Sequence, residues 1–445
     1  MRSFSNLLIN REYARLWRGQ AISTVGDYVF DTTLTLWVAT EVVKGKSWAP
    51  SAVSGVLLAV GAAVLLVGPV AGVFVDRWSH KKIMLNTELI RAAVVAAVLL
   101  LSLIPLDDLP VGLWLGCIYL AVFILNAAGQ FFSPARFAAV GALVPGEADR
   151  ARAAGLGQAT TGAASILGPP LAAPLLFSVG VQWAMAANLV SYLCSYAATR
   201  SVRFPPSQDT STVVTDPGSS AVRRWSQDFL SGLRHFAGNR LLVALLASAV
   251  ITQMGTGALN TLNVFFATGN LHASPGQFGF VSMSFGVGAI GGALVGGHAV
   301  GRLGARKATW LGLIVSGLLV CAYSRQSVFV VAVVLLMLVA VPVAALNAAM
   351  TPLLLESTPP EYLGRVVAVF NPVNELAYML SAGVAGWLAS TGLAHFGGHV
   401  AGMAFGPVDT IFTASGIMII IAGCYAFFAL PRERTAVATP LEAKA

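Results

Sequence analysis

Charge is scarce in this chain. Only 10% of its 445 residues are Asp, Glu, Lys or Arg, against about 25% in soluble domains, which excludes a soluble multidomain protein. Cysteine is scarce as well. Cys117, Cys194, Cys321 and Cys424 all fall inside apolar runs without metal-ligand spacing, and read as small packing residues. No removable signal segment is evident after Met1, so the first membrane helix is expected to act as the targeting signal. There is no Gly-x-x-x-x-Gly-Lys-Ser/Thr loop to cradle nucleotide phosphates and no His-Glu-x-x-His pair. The six histidines show no ligand grouping. The expectation is therefore no enzyme, no metal and no cofactor. Without a nucleotide site, any energy is left to an ion gradient, with the proton as the expected coupling ion, or to a bound small molecule itself.

Apolar length is what the chain has in excess. It is 56% hydrophobic with 45 glycines, and its runs approach the roughly 20 residues that cross a bilayer as a helix. The short alternating segments of a membrane barrel are not seen. Twelve spans are expected, at about 16–41, 51–75, 83–105, 111–134, 153–178, 181–200, 241–268, 277–300, 308–324, 327–355, 365–391 and 408–430. The fold class is an all-α polytopic membrane protein of two six-helix halves, residues 16–203 and 241–430. An N-terminal arm (1–15), a central loop (204–240) and a disordered tail (431–445) complete the chain.

With both termini inside, 23 of the 27 Lys and Arg fall in inner segments and three, Lys44, Lys46 and Arg325, outside; Arg91 lies within a span. That asymmetry places both termini in the cytoplasm and the chain in a plasma (inner) membrane. It accounts for the net charge of +8 without nucleic acid. In the central loop, Trp225, Phe229, Leu233 and Phe236 share one helical face. This segment reads either as an amphipathic helix on the membrane surface or as a plain connecting helix.

The halves echo each other. Leu125-Asn-Ala-Ala-Gly129 recurs as Leu346-Asn-Ala-Ala-Met350, and Pro145-Gly-Glu147 with Arg150 as Pro359-Pro-Glu361 with Arg365. Gly72-x-x-x-Asp76-Arg77 with Lys81-Lys82 recurs as Gly297-x-x-x-Gly301-Arg302 with Arg306-Lys307. Three echoes in register indicate a repeat. The Gly72–Lys82 turn reads as a basic anchor of an inner hairpin or, more sharply, as a conformational latch.

Six plus six helices with this turn after the second and eighth spans resemble the major facilitator superfamily over about residues 10–432. The family's signature turn is met by Gly72, Asp76, Arg77, Lys81 and Lys82, with Ser79 and His80 where Gly and Arg are usual. The opening Tyr13-Ala-Arg-Leu-Trp17-Arg-Gly-Gln20-x-x-Ser23-x-x-Gly26-Asp27, with Pro134-Ala135, Gly168-Pro169 and Gly232-Leu-Arg234, resembles the branch that holds macrolide and enterobactin exporters. Gly155-x8-Ala164-x3-Gly168-Pro169-x2-Ala172-Ala173 is similar to the exporter-associated motif of the fifth helix, with Ala in three Gly places. The resemblance implies alternating access, and export over import. It also implies a contact of Asp76 with a helix N-terminus near Gly364-Arg365, open to pH through His80. Gly301 replaces the second Asp, so only the first turn can make that contact. The mid-span Arg of the fourth helix of many proton antiporters is missing, and Arg91 is the substitute on offer.

Ionisable groups inside spans are costly, about 2.5–3.5 kcal/mol each, and mark function. Asp27 and Asp31 lie one helical turn apart on one face. Two such carboxylates in a poorly hydrated cavity repel each other, which favours proton uptake. They read as a proton site, a cation site or both in competition, or else one of them as a helix cap. A buried Arg91 calls for a carboxylate from Asp27, Asp31 or Glu88. Glu375, with Asn371 and Asn374, is a second proton or substrate candidate. Phe30, Trp37, Phe131, Phe265, Phe266 and Phe370 are expected to line the cavity.

The partners expected are the bilayer and a small hydrophobic or cationic substrate, with the protein working as a monomer. Proton-coupled drug or macrolide efflux is the first reading. Siderophore or metabolite export and lipid flipping are its rivals. A non-transporting scaffold or sensor would not need acids inside the bilayer.

Overall fold

The computed structural model describes residues 9–75, 78–204, 233–234, 238–274, 277–358, 360–394, 396–400 and 403–430. The Asp76–Arg77 pair, the amphipathic segment of the central loop (all but 233–234) and the tail lie outside them. Twelve long helices are present among the described residues. The first half contains α1 (Arg11–Trp37), α2 (Ala49–Val75), α3 (His80–Leu101), α4 (Val111–Leu143), α5 (Glu147–Pro174) and α6 (Val181–Ser201). The second contains α7 (Arg240–Gly269), α8 (Phe278–Leu303), α9 (Ala305–Ser324), α10 (Phe329–Ser357), α11 (Pro360–Trp387) and α12 (Pro407–Ala429). A short antiparallel hairpin, β1 (Gly398–Val400) and β2 (Met403–Phe405), precedes α12. Nine of the twelve helices are long and apolar enough to cross a membrane; α1, α6 and α11 miss that mark. Two of these three carry the intramembrane acids Asp27, Asp31 and Glu375.

Each half opens on the same cap. Asn10 accepts from the Tyr13 N–H at 2.8 Å, and Asn239 from the Leu241 and Leu242 N–H groups at 3.0 and 3.4 Å. A short polar side chain at this position satisfies N–H groups that have no intrahelical partner. The dipeptides Asn10-Arg11 and Asn239-Arg240 are thus a fourth echo, missed by the apolar count. Packing repeats as well. In the first half α1 meets α5 and α6, α2 meets α4, and α3 meets α4 and α6. In the second half α7 meets α11 and α12, α8 meets α10, and α9 meets α10 and α12. The halves join along two seams related in the same way, α5 against α8 and α2 against α11.

The helices overrun their apolar segments at the face where Asn10 and Leu430 lie, called here the terminal face. Helix α4 continues to Leu143, nine residues past the expected end, because its last turns are amphipathic rather than apolar. Arg150 secures that end with hydrogen bonds to the carbonyls of Val144 (2.8 Å) and Gly141 (3.1 Å).

At the opposite face one apolar core runs through both halves, from Phe30, Trp37 and Trp114 to Phe266, Tyr323 and Phe412. At the terminal face the halves have separate cores, Leu16, Met84 and Leu143 in the first and Leu245, Leu313 and Leu430 in the second. Seam contacts follow the same division. Ser51 bonds Ser390 (2.9 Å) and the Gly386 carbonyl (3.1 Å). Gly279 is packed on the Pro169 carbonyl so closely that a side chain would not fit. The halves are sealed at the opposite face and part toward the terminal face.

Candidate functional site: a charged cleft in the first half

Helix geometry gathers the charges. The i, i+4 spacing puts Asp27 and Asp31 on one side of α1, and both line a cavity of about 260 Å³ together with Arg91, Asn126, Gln130 and Tyr192. Asp31 is exposed and Asp27 half-buried. Tyr192 of α6 donates to Asp27 Oδ1 at 2.6 Å. A second cavity of about 200 Å³ shares Asp27, Arg91 and Ser133 with the first and adds Glu88, Gln20 and Arg136. A third, of about 570 Å³, shares Gln20, Ser133 and Arg136 with the second and reaches Tyr13 and Arg150 near the terminal face. Shared lining residues therefore connect the paired acids, cavity by cavity, to the terminal face.

Arg91 forms no ion pair within 4.0 Å with Asp27, Asp31 or Glu88, contrary to the expected buried pair. Its guanidinium lies over the rings of Phe132 (5.0 Å) and Tyr192 (5.7 Å), where the aromatic quadrupoles stabilise it. Gly129 makes room for it, since a Cβ there would stand 2.8 Å from Arg91 Nη2. Glu88 is wholly buried and takes a 2.6 Å hydrogen bond from Ser195. Glu88 Oε2, Arg91 Nε, Gln20 Nε2 and Asn188 Nδ2 are buried with no protein hydrogen-bond partner. Buried polar atoms are nearly always satisfied, and three of these four, on Gln20, Glu88 and Arg91, belong to residues that line the second cavity, which marks a site shaped for something other than packing.

Arg136 is the residue the sequence reading missed. Counted in a loop, it lies within α4, and it lines two of the three cavities. The fourth helix does carry an arginine; the signal was the continuing helical period past Pro134. Glu375, by contrast, does not join this cluster. It is half-buried at the α2–α11 seam, with its Oε1 3.1 Å from where a Cβ on Gly61 would stand. The matching cavity of the second half, about 240 Å³, is uncharged and lined by Gln253, Asn347, Asn374, the hydroxyls Ser248, Thr252 and Thr309, Phe370 and aliphatic residues. Phe30 and Phe370 line cavities as expected. Trp37 and Phe266 are core residues packed on Trp114 and on Tyr323 and Phe412.

The basic turns have a structural task. Lys81 donates to the carbonyls of Arg200 (3.0 Å) and Val202 (2.7 Å), tying α3 to the end of α6. Arg306 does the same in the second half, donating to the Phe427 carbonyl of α12 at 2.8 Å. Cations at helix C-termini also complement the dipole. His80 opens α3 and Lys82 is exposed; Gly301 has open space around it, and Arg302 lies in the last turn of α8. Gly72 lies in the last turn of α2. Of the α5 motif, Ala164 is buried without exposure and Gly168 abuts Tyr28 of α1. Pro169 meets α8, while a Cβ added at Gly155 would meet nothing within 4 Å. Three of the four positions pack α5 between α1 and α8.

Twelve helices in two matched halves, sealed at one face and parted at the other over a charged cleft, are the architecture of a two-half membrane transporter. The sequence profile of the Major Facilitator Superfamily matches residues 16–266 and 245–445. The chain belongs to that superfamily: it is a multi-pass membrane transporter and not an enzyme. Among its relatives is the MFS-type transporter YkuC of Bacillus subtilis, 23% identical over 95% of this chain and 93% of that one. Macrolide efflux protein A of Streptococcus pyogenes is 26% identical over 82% of this chain and 86% of that one. A bacterial homologue of the iron transporter ferroportin, solved in an inward-facing state, has the same fold, with a TM-score of 0.71 at 13% identity over 96% of this chain and 100% of that one.

Proposed function

We propose that this protein exports amphipathic, cationic small molecules by proton antiport through alternating access, from a plasma (inner) membrane in which the terminal face is cytoplasmic. The observation that carries the reading is a charge imbalance. Three carboxylates (Asp27, Asp31, Glu88) and two guanidiniums (Arg91, Arg136) line the two cavities that share Asp27 and Arg91, with Arg150 away at the terminal end of the third. With every group ionised the set is one negative charge in excess, and a proton or a cationic substrate balances it. A site that can be neutralised by either but not by both is the requirement for exchange. Asp31, exposed to the cavity, is the group that would trade one for the other; Asp27 is committed to Tyr192. The uncharged cavity across the cleft would receive the apolar and neutral polar parts of the same molecule.

Export rather than uptake is supported by the packed α5, which closes the α8 seam, and by the efflux protein among the relatives. Macrolide-type or drug efflux fits this reading best. The test is flux in proteoliposomes under an imposed pH gradient. Accumulation of a lipophilic cation driven by the gradient is expected. Flux of such a cation that does not respond to the gradient would contradict proton antiport, and no flux of any lipophilic cation would contradict the substrate class.

A further inference from the structure

Opposite the cleft, α3 and α4 enclose a groove of about 730 Å³ that no step of transport uses. Its depth is formed by Ile90, Ile124 and Phe131, its mouth by Trp78 and Lys82, with Asn86 between. The direction in which it opens follows from helix geometry at 100° per residue. On α4, Ile124 and Phe131 lie about 160° and 140° around the helix from Asn126, which lines the charged cavity. On α3, Asn86 and Ile90 stand two residues to either side of the buried Glu88, and so about 160° away from it. Both helices thus turn this groove outward, to the side that meets lipid.

The mouth lies at the terminal end of the helices. Trp78 is 54% exposed and packs against Phe74 in a tilted arrangement, with centroids 4.9 Å apart. Lys82 is exposed, whereas its neighbour Lys81 is bound to the end of α6. An indole beside an exposed ammonium, at the edge of an apolar trough, is the arrangement that holds a side chain pair at the headgroup level. From Lys82 to Ile90 the trough runs about 12 Å along α3, enough for the upper part of an acyl chain.

We propose that this groove is a binding site for one anionic phospholipid, its phosphate on Lys82 with Trp78 beside it and one acyl chain between α3 and α4. A zwitterionic lipid would bring a cationic headgroup against Lys82 and is disfavoured by charge. The site adjoins the connection between α2 and α3, so occupancy would steady the end of the first half that moves when the halves rock. The proposal stands apart from the transport reading, and either can fail alone.

The test is native mass spectrometry of the whole protein released from detergent, with added phosphatidylglycerol or phosphatidylcholine of the same acyl chains. One phosphatidylglycerol should survive activation on the wild type, and about tenfold less on Lys82→Glu and on Ala127→Trp, which fills the trough. Lys82→Arg should retain it. Equal retention of phosphatidylcholine, or wild-type retention by either disrupting variant, would overturn the proposal. If those variants do not fold, a photoreactive phosphatidylglycerol on the wild type decides. Labels within 78–90 or 124–131 support the site; labels elsewhere alone overturn it.

Discussion

Tyr192 donates its hydroxyl to Asp27 at 2.6 Å, and the same ring supports the guanidinium of Arg91 at 5.7 Å. One aromatic residue of α6 thus holds an acid of α1 and a base of α3 in fixed relation without an ion pair between them. Tyr192→Phe keeps the ring and loses only the donor. The expected cost is about 1 kcal/mol, typical of a hydrogen bond between membrane helices, seen as a drop of a few degrees in apparent melting temperature. Gradient-driven flux should fall several-fold, because Asp27 is then free to compete with Asp31 for the proton. Unchanged flux and stability would remove Asp27 from the site.

Gly129 holds space for Arg91. Gly129→Ala places a methyl 2.8 Å from Nη2, and the long arginine side chain must swing aside. Expression should be near normal, with transport down about tenfold and a larger loss for Gly129→Leu. Wild-type transport by Gly129→Leu would show that the position of Arg91 is immaterial.

The seal at the opposite face depends on small residues. A side chain at Gly386 would overlap Ser54, and one at Gly279 the Pro169 carbonyl. Gly386→Leu should prop this end apart and shift the population toward the form that is closed at the terminal face. Spin-label distances between the ends of α5 and α8 near residues 151 and 302 should shorten relative to wild type. An unchanged distance distribution would contradict the rocking description.

Arg325 and Asp409 form an ion pair at 3.2 Å, 19% and 5% exposed, and Arg325 also stacks on Phe405 at 4.2 Å. Asp409 in turn accepts the Gly406 N–H at 2.7 Å at the start of α12. Removing one partner of a buried pair leaves an uncompensated charge and costs about 3–5 kcal/mol. Asp409→Ala should therefore lower the melting temperature markedly, and Arg325→Met with Asp409→Leu should recover part of it. Transport by the double variant, once folded, should survive, since neither residue lines the cavity that holds Asp31.

Much of this molecule was legible in its residues. Twelve apolar runs and three in-register echoes foretold the matched halves, because membrane helices and their repeats are written in hydropathy. The i, i+4 spacing of Asp27 and Asp31 foretold their common cavity for the same local reason. What hydropathy could not show was where amphipathic helices end, so Arg136 was counted in a loop although α4 carries it into the site. The partners of Arg91 were equally hidden. A rule that charge seeks charge pointed to a carboxylate, whereas Phe132 and Tyr192, brought up by tertiary packing from α4 and α6, stabilise it instead. Glu375 shared the depth of the α1 acids but not their side of the molecule. The basic turn kept its anchoring meaning at Lys81 and Arg306, and the latch assigned to Asp76 falls outside the described residues.

The central claim is that proton and substrate exchange at Asp31. It is tested most directly by adding a lipophilic cation to the purified protein in weakly buffered detergent solution and measuring the protons released. The account predicts about one proton released per bound cation by the wild type and none by Asp31→Asn, with both proteins folded. Equal release by Asp31→Asn, or cation binding by the wild type with no proton released, would contradict it.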